Sequence, residues 1–227
     1  MNLTQRRKGA KIMATNLMSK VTILSLVMLF SLFAFACSSK ESPVAEAPVV
    51  PPPLSPDEEV AVIDTDFGKI RIRLYADVAP MHVENFKKLA REGFYNGLAF
   101  HRIIPNGIIQ GGDPTTRGND RSLWGRGEPG QPTVPAEFSA RPFVRGAVGA
   151  ARKGNDINSA TSQFFICTAA QPGFDGLYSI FGRVLEGMNV VDTIARAPIL
   201  GKTERPVDPV VVNRVYIIKR AELKKEQ

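Results

Sequence analysis

Phe100-His101-Arg102-Ile103-Ile104-Pro105, continuing to Gln110-Gly111-Gly112-Asp113, and then Ser162-Gln163-Phe164-Phe165-Ile166, are the stretches on which the reading of this chain turns. Each reads as a strand that carries polar groups among apolar neighbours. Alternation along a strand places Phe100 and Arg102 on one face and His101 and Ile103 on the other. Together the stretches supply one permanent cation, an uncharged amide and an aromatic wall. That set suits a reaction needing no nucleophile, metal or cofactor.

The sequence around these stretches is strand-rich. Val60-Ala61-Val62-Ile63-Asp64-Thr65 and Lys69-Ile70-Arg71-Ile72-Arg73-Leu74 read as strands joined by a tight turn at Asp66-Phe67-Gly68. Strict alternation in the second predicts Ile70, Ile72 and Leu74 inward and the basic residues in water. Pro80 opens a helix with the apolar stripe Val83, Phe86, Leu89 and Ala90, ended by Gly93. Short strand-like runs follow near 99–104, 108–112, 145–150, 163–168 and 179–184, with a Gly/Pro-rich stretch over 113–142. A second helix near 188–196 turns Val190, Val191 and Ile194 inward, and 210–212 with 215–218 form a closing strand. Many short strands with two helices predict a mainly β barrel or sandwich, and composition alone does not choose between them.

The N-terminal part has a different character. Residues 1–36 hold five basic residues (Arg6, Arg7, Lys8, Lys11, Lys20) and no acidic ones. The apolar run Val21 to Ala36 is 16 residues long, short of the roughly 20 that span a bilayer. Ala34-Phe35-Ala36 puts small residues where a signal peptidase reads, so 1–36 is expected to be a signal peptide, with a retained anchor as the alternative. Met13 and Met18 are alternative starts. Cys37-Ser38-Ser39 resembles a bacterial lipoprotein signal, although Ala34 replaces the usual Leu and Phe35 is bulky. The resemblance implies lipidation of Cys37 and an extracytoplasmic domain anchored to a bacterial membrane and facing the periplasm. Simple secretion is the alternative. Ser38 resembles an outer-membrane sorting residue, and the choice of membrane stays open. The Pro-rich stretch up to residue 58 reads as an extended linker of about 3 Å per residue, suited to holding a domain off a membrane. Residues 59–220 then form one domain, and 221–227 a charged tail.

Several classes are excluded. The net charge of +7 falls to +2 once 1–36 are removed, because 29 − 5 leaves 24 basic against 22 acidic residues. No basic stripe survives for nucleic acid. Two histidines (His82, His101) and two cysteines (Cys37, Cys167) build no metal site and no disulfide framework. Cys167 reads as a small buried hydrophobe. No phosphate-binding glycine loop is present. Ser162 with His101 as a hydrolytic pair lacks the Gly-x-Ser-x-Gly elbow. Arg102 alone has a plain alternative, an arginine on the outer face paired with an acid.

Over residues 60–218 the two opening stretches resemble the cyclophilin family of peptidyl-prolyl isomerases. The resemblance implies a closed eight-stranded antiparallel barrel capped by two α-helices, without metal or cofactor, acting on Xaa-Pro segments as a monomer. It implies that Arg102 is catalytic, that His101 lines the site, and that Gln110 binds peptide backbone. Phe165 would wall the proline pocket, with Ile108 and Phe174 at further pocket positions. Ala151 and Arg152 match the pair that runs along the substrate backbone. Tyr178 occupies a position often held by His. Gln163 either touches substrate or only orients Arg102 or satisfies barrel backbone. Two residues depart from the family: Gly107 stands where an aromatic is usual, and Gly173 where many relatives have Trp. Each change removes an apolar contact worth about 1.5–3 kcal/mol if fully buried. The second predicts weak binding of the cyclic peptide cyclosporin. The insert Asn119-Asp120-Arg121-Ser122-Leu123-Trp124 either refills part of the pocket or is a surface loop. The expected function is prolyl isomerisation in exported proteins during their folding; the alternative is a peptide-binding scaffold with little catalysis.

Overall fold

The computed structural model describes residue 53 and residues 55–225. The expected signal peptide, Cys37 and most of the linker lie outside the described residues. The strands are β1 (Glu59–Thr65), β2 (Gly68–Leu74), β3 (Ala99–Phe100), β4 (Arg102–Ile104), β5 (Ile108–Gly111), β6 (Ala147–Ala150), β7 (Phe164–Cys167), β8 (Ile180–Glu186) and β9 (Val210–Lys219). Two helices accompany them, α1 (Pro80–Arg91) and α2 (Met188–Ala195).

The strands form one sheet in the order β3-β9-β1-β2-β8-β6-β7-β5-β4. Every pairing is antiparallel. β3 and β4 stand at opposite ends of that order, yet only His101 separates them in the chain. The sheet therefore comes round into a nearly closed barrel. Eight strands were expected and nine are present among the described residues. The extra one arises because the run 99–104 breaks at His101, pairing with β9 before it and with β5 after it.

The same break overturns the expected alternation. Phe100 and Ile103 are both fully buried in the barrel interior, whereas Arg102 is half-buried on the outer side. A strand that changes partner must twist locally, and the two-residue period slips there. A second expectation also fails in part. Ile70, Ile72 and Leu74 do face the core, but Arg71 and Arg73 are only 12% and 13% exposed, held 2.9 Å from Glu186 and Glu58. Neighbouring acids cover them, since β2 lies between β1 and β8.

Phe164 is the hub of the interior. Its ring meets those of Phe86, Tyr95 and Phe100 edge-on at 5.6, 5.8 and 6.1 Å, contacts worth about 0.5–1.5 kcal/mol each beyond burial. Helix α1 lays Val83, Phe86 and Ala90 over this hub, and α2 adds Val190, Val191 and Ile194. Ala79 cannot cap α1 with its side chain. Glu137 does so from a distant loop, accepting from the backbone N–H groups of Met81 and His82 at 3.0 and 2.9 Å. A second apolar cluster lies on the other side of the wall, built from Tyr75, Ile108, Phe143, Ala147, Phe165, Cys167 and Ile180. Strand alternation produces it, because Phe164 and Ile166 point inward while Phe165 and Cys167 point outward.

Candidate active site

The register of four adjacent strands lines up one row of residues. Arg102 on β4 pairs with Gln110 on β5, Gln110 with Phe165 on β7, and Phe165 with Gly149 on β6. Laterally paired residues share a face, and each step is about 4.8 Å. Arg102 and Phe165 are therefore two steps, about 10 Å, apart with Gln110 between them.

A polar chain runs along one end of the row. Arg102 Nη1 donates to Gln110 Oε1 at 3.3 Å, Gln110 Nε2 donates to Gln163 Oε1 at 2.9 Å, and Gln163 Nε2 donates to the Gly125 carbonyl at 3.4 Å. Gln163 thus orients Gln110, which in turn holds Arg102. Arg102 Nε also donates to Glu204 at 2.6 Å. The outer-face arginine paired with an acid and the arginine beside Gln110 are one and the same.

The aromatic end of the row is tightly built. The Phe165 ring lies 5.7 Å from Phe143, 5.5 Å from Phe174 and 5.6 Å from Tyr178. Phe174 and Tyr178 close the group at 4.9 Å. Ile108 lies in the same cluster, with Ile104 packed against it. A Cβ at Gly107 would stand 2.8 Å from Ile104 Cγ2, so any side chain at this turn would require Ile104 to shift. Gly173, by contrast, has nothing within 4 Å of where a Cβ would lie.

Beside this group opens a cleft of about 400 Å³ lined on one side by Gln110, Gln163, Ala151 and Arg152. Its other wall is Gly125 to Gln131, residues to which the sequence reading assigned no role. Their signal was the run of Gly and Pro, which lets the backbone approach closely. Arg152 lines the cleft with its guanidinium tied to a neighbouring loop. It donates to the Leu177 carbonyl at 3.2 and 3.1 Å and lies 4.7 Å over the Tyr178 ring, joining two loops. A second cleft of about 380 Å³ near α1 is lined by Glu58, Arg73, Asp77, Lys87 and Arg141. These charges pair with one another or with Glu59 and Glu84, and no aromatic row faces it.

His101 is 3% exposed. Burial pushes its pKa down to about 4, with Arg102 adding to the effect and Asp113 opposing it. The imidazole is neutral at pH 7 and backs the site from beneath. Ser162 is also buried, and its hydroxyl donates to the Gly112 carbonyl at 2.8 Å. It ties two strands' ends together and makes no pair with His101, so the hydrolase alternative finds no geometry. Burial raises the Cys167 thiol to about 12, the behaviour of an inert core residue. Among the described residues no group of His, Cys, Asp or Glu could hold a metal. The insert 119–124 does not refill the pocket. Arg121 donates to the carbonyls of Val207 and Pro206 at 2.9 and 2.7 Å and stacks 4.6 Å over Trp124.

Known proteins resemble this chain in sequence and in fold. A family model described as cyclophilin type peptidyl-prolyl cis-trans isomerase matches residues 60–217. A Brucella suis protein named "Probable peptidyl-prolyl cis-trans isomerase" is 45% identical over 143 residues, covering 61% of this chain and 72% of that protein. Peptidyl-prolyl cis-trans isomerase-like 3 of Gallus gallus is 36% identical, covering 68% of this chain and 93% of that one. Among solved structures, a Cryptosporidium parvum cyclophilin type peptidyl-prolyl cis-trans isomerase crystallised in the presence of the dipeptide Ala-Pro superposes with a TM-score of 0.63 at 28% identity. It covers 70% of this chain and 99% of that chain.

Proposed function

The chain belongs to the cyclophilin-type peptidyl-prolyl cis-trans isomerase family, and from that membership we propose that it rotates Xaa-Pro amides in segments of exported proteins during their folding. An Xaa-Pro amide is planar because the nitrogen lone pair is shared with the carbonyl, and rotation must cross about 18–20 kcal/mol. Catalysis requires the twisted amide to be held better than either planar form. A guanidinium donating toward the prolyl nitrogen, as its lone pair localises, favours the twisted form without proton transfer. Arg102 is the donor in this reading. With Nε on Glu204 and Nη1 on Gln110, its Nη2 group is the end left to face substrate. The Phe165, Ile108, Phe174 and Tyr178 group receives the ring. Gln110 holds flanking backbone, and the cleft beside Ala151 takes the chain next to the proline. A 10⁵-fold acceleration asks about 7 kcal/mol of this arrangement.

The observation that carries the reading is the single row Arg102, Gln110, Phe165, in which cation, amide and aromatic wall stand in lateral register. The test is exchange NMR on an Ala-Pro peptide. The wild-type protein is expected to speed exchange and Arg102→Ala to lose most of that acceleration; equal rates refute the enzyme and leave the scaffold. The proposal extends to location. The signal-like residues 1–36, Cys37 and the Pro-rich linker support a domain tethered by lipid to a bacterial membrane and facing the periplasm. Mass spectrometry of the mature N-terminus tests it: acylated Cys37 supports the tether, and a free Cys37 or an intact leader removes it.

A further inference from the structure

Arg102 is gripped from two sides, and only one grip belongs to the row described above. Its Nε donates to Glu204 Oε2 at 2.6 Å, while Nη1 donates to Gln110. The Arg102 and Glu204 side chains are 43% and 42% exposed, and pairs as open as this contribute little to stability. What sets this pair apart is the care with which the carboxylate is placed.

Glu204 has φ +59, a conformation that a residue with a Cβ rarely adopts. Such a conformation persists only where the surroundings determine it. Here they do. The Glu204 carbonyl accepts from the N–H of Ile103, the residue after Arg102, at 2.7 Å. The turn around it is closed by Leu200 N–H to the Arg205 carbonyl at 2.8 Å and by Val207 N–H to the Pro198 carbonyl at 2.7 Å. From outside, Arg121 clamps the Pro206 and Val207 carbonyls, itself stacked on the buried Trp124. Backbone and side chain of Glu204 thus both bind the strand that bears Arg102. The insert 119–124 serves as the brace behind them.

We propose that Glu204 is a positioning residue for the reaction: it fixes the rotation of the Arg102 guanidinium so that its free end faces the prolyl amide. The proposal rests on the isomerase reading above. An arginine on a flexible stem with one hydrogen bond to Gln110 swings about that bond. A second bond from Nε locks the plane of the fork. The carboxylate also offsets part of the guanidinium charge, which opposes catalysis. Orientation outweighs charge if the proposal is right, since small misplacements of a reacting group cost large factors in rate.

The experiment compares the full chain with Glu204→Gln and Glu204→Ala by exchange NMR on an Ala-Pro peptide, and follows the Arg102 Nε–H resonance. Glu204→Gln is expected to lower kcat about fivefold and Glu204→Ala about 10²-fold, with KM changed less than about twofold. The Nε–H signal should move upfield and broaden while the amide spectrum of the barrel is retained. A purely structural role would not produce this split. An unchanged or faster kcat in folded Glu204→Gln overturns the proposal, as does an unmoved Nε–H signal. Should Glu204→Ala fail to fold, Glu204→Gln decides alone. Arg102→Ala separates the two claims. If it is inactive while the Glu204 variants match wild type, only the positioning role falls. If wild type itself is inactive, the isomerase reading falls and takes this proposal with it.

Discussion

A single methyl group at Gly149 should push the aromatic wall out of place. A Cβ built on Gly149 would lie 2.4 Å from Phe165 Cζ, 2.8 Å from Phe165 Cε2 and 2.7 Å from Phe143 Cε1. Ordinary contact begins at 3.4 Å, so the Phe165 ring must retreat by at least 1.0 Å. Phe143, Phe174 and Tyr178 stand around it at 5.5 to 5.7 Å between ring centres and resist that retreat. Overpacking of this kind costs about 1–3 kcal/mol. A wall displaced by about 1 Å lowers kcat/KM by up to 10²-fold. Gly149→Ala should therefore lose about 2 kcal/mol in urea denaturation and most of its exchange activity on an Ala-Pro peptide. Gly154→Ala is the control, because nothing lies within 4 Å of its Cβ; it should stay within about 0.5 kcal/mol of wild type. If Gly149→Ala matches that control in both assays, the Phe165 ring is not the rigid wall described.

Three further outcomes are expected. His101 is neutral in the folded chain down to about pH 4 but protonates near pH 6.5 when unfolded, so the unfolded state binds the extra proton between those values. Stability is then fully present above pH 6.5 and falls by about 3 kcal/mol as pH drops to 4; chemical denaturation of His101→Gln should show a flatter slope over that window. Ser162→Ala removes the hydroxyl that bonds the Gly112 carbonyl, so it should destabilise by about 1–2 kcal/mol yet leave kcat of the folded protein unchanged; loss of kcat would revive a nucleophilic role. The wild-type protein should bind cyclosporin only weakly, and Gly173→Trp, placed in open space, should fold normally and tighten that binding; submicromolar affinity of the wild type in calorimetry refutes the reasoning.

Much of the site was readable from local pattern. The family resemblance pointed to Phe165 as a pocket wall, and the apolar run containing Arg102 marked a charge that needed a partner. Reading failed where partners are distant in sequence. The alternation rule placed Phe100 with Arg102, because nothing local reveals that the strand changes neighbours at His101. Glu204, 102 residues from Arg102, lies in an ordinary-looking loop and was missed.

The sequence by itself determined which segments form strands and helices, most of the residues that face the core, and which chemistry is affordable: one fixed cation and amides, with no metal set and no activated nucleophile. Those follow from periodicity and residue type, which act over a few positions. The tertiary structure alone decided where that chemistry points. Register across β4, β5, β7 and β6 puts Arg102, Gln110, Phe165 and Gly149 in one row. Closure at His101 turns that row outward, and a remote loop brings Glu204 onto the guanidinium. Register and loop closure are settled by the whole packed barrel, because each gains its free energy only when distant segments meet.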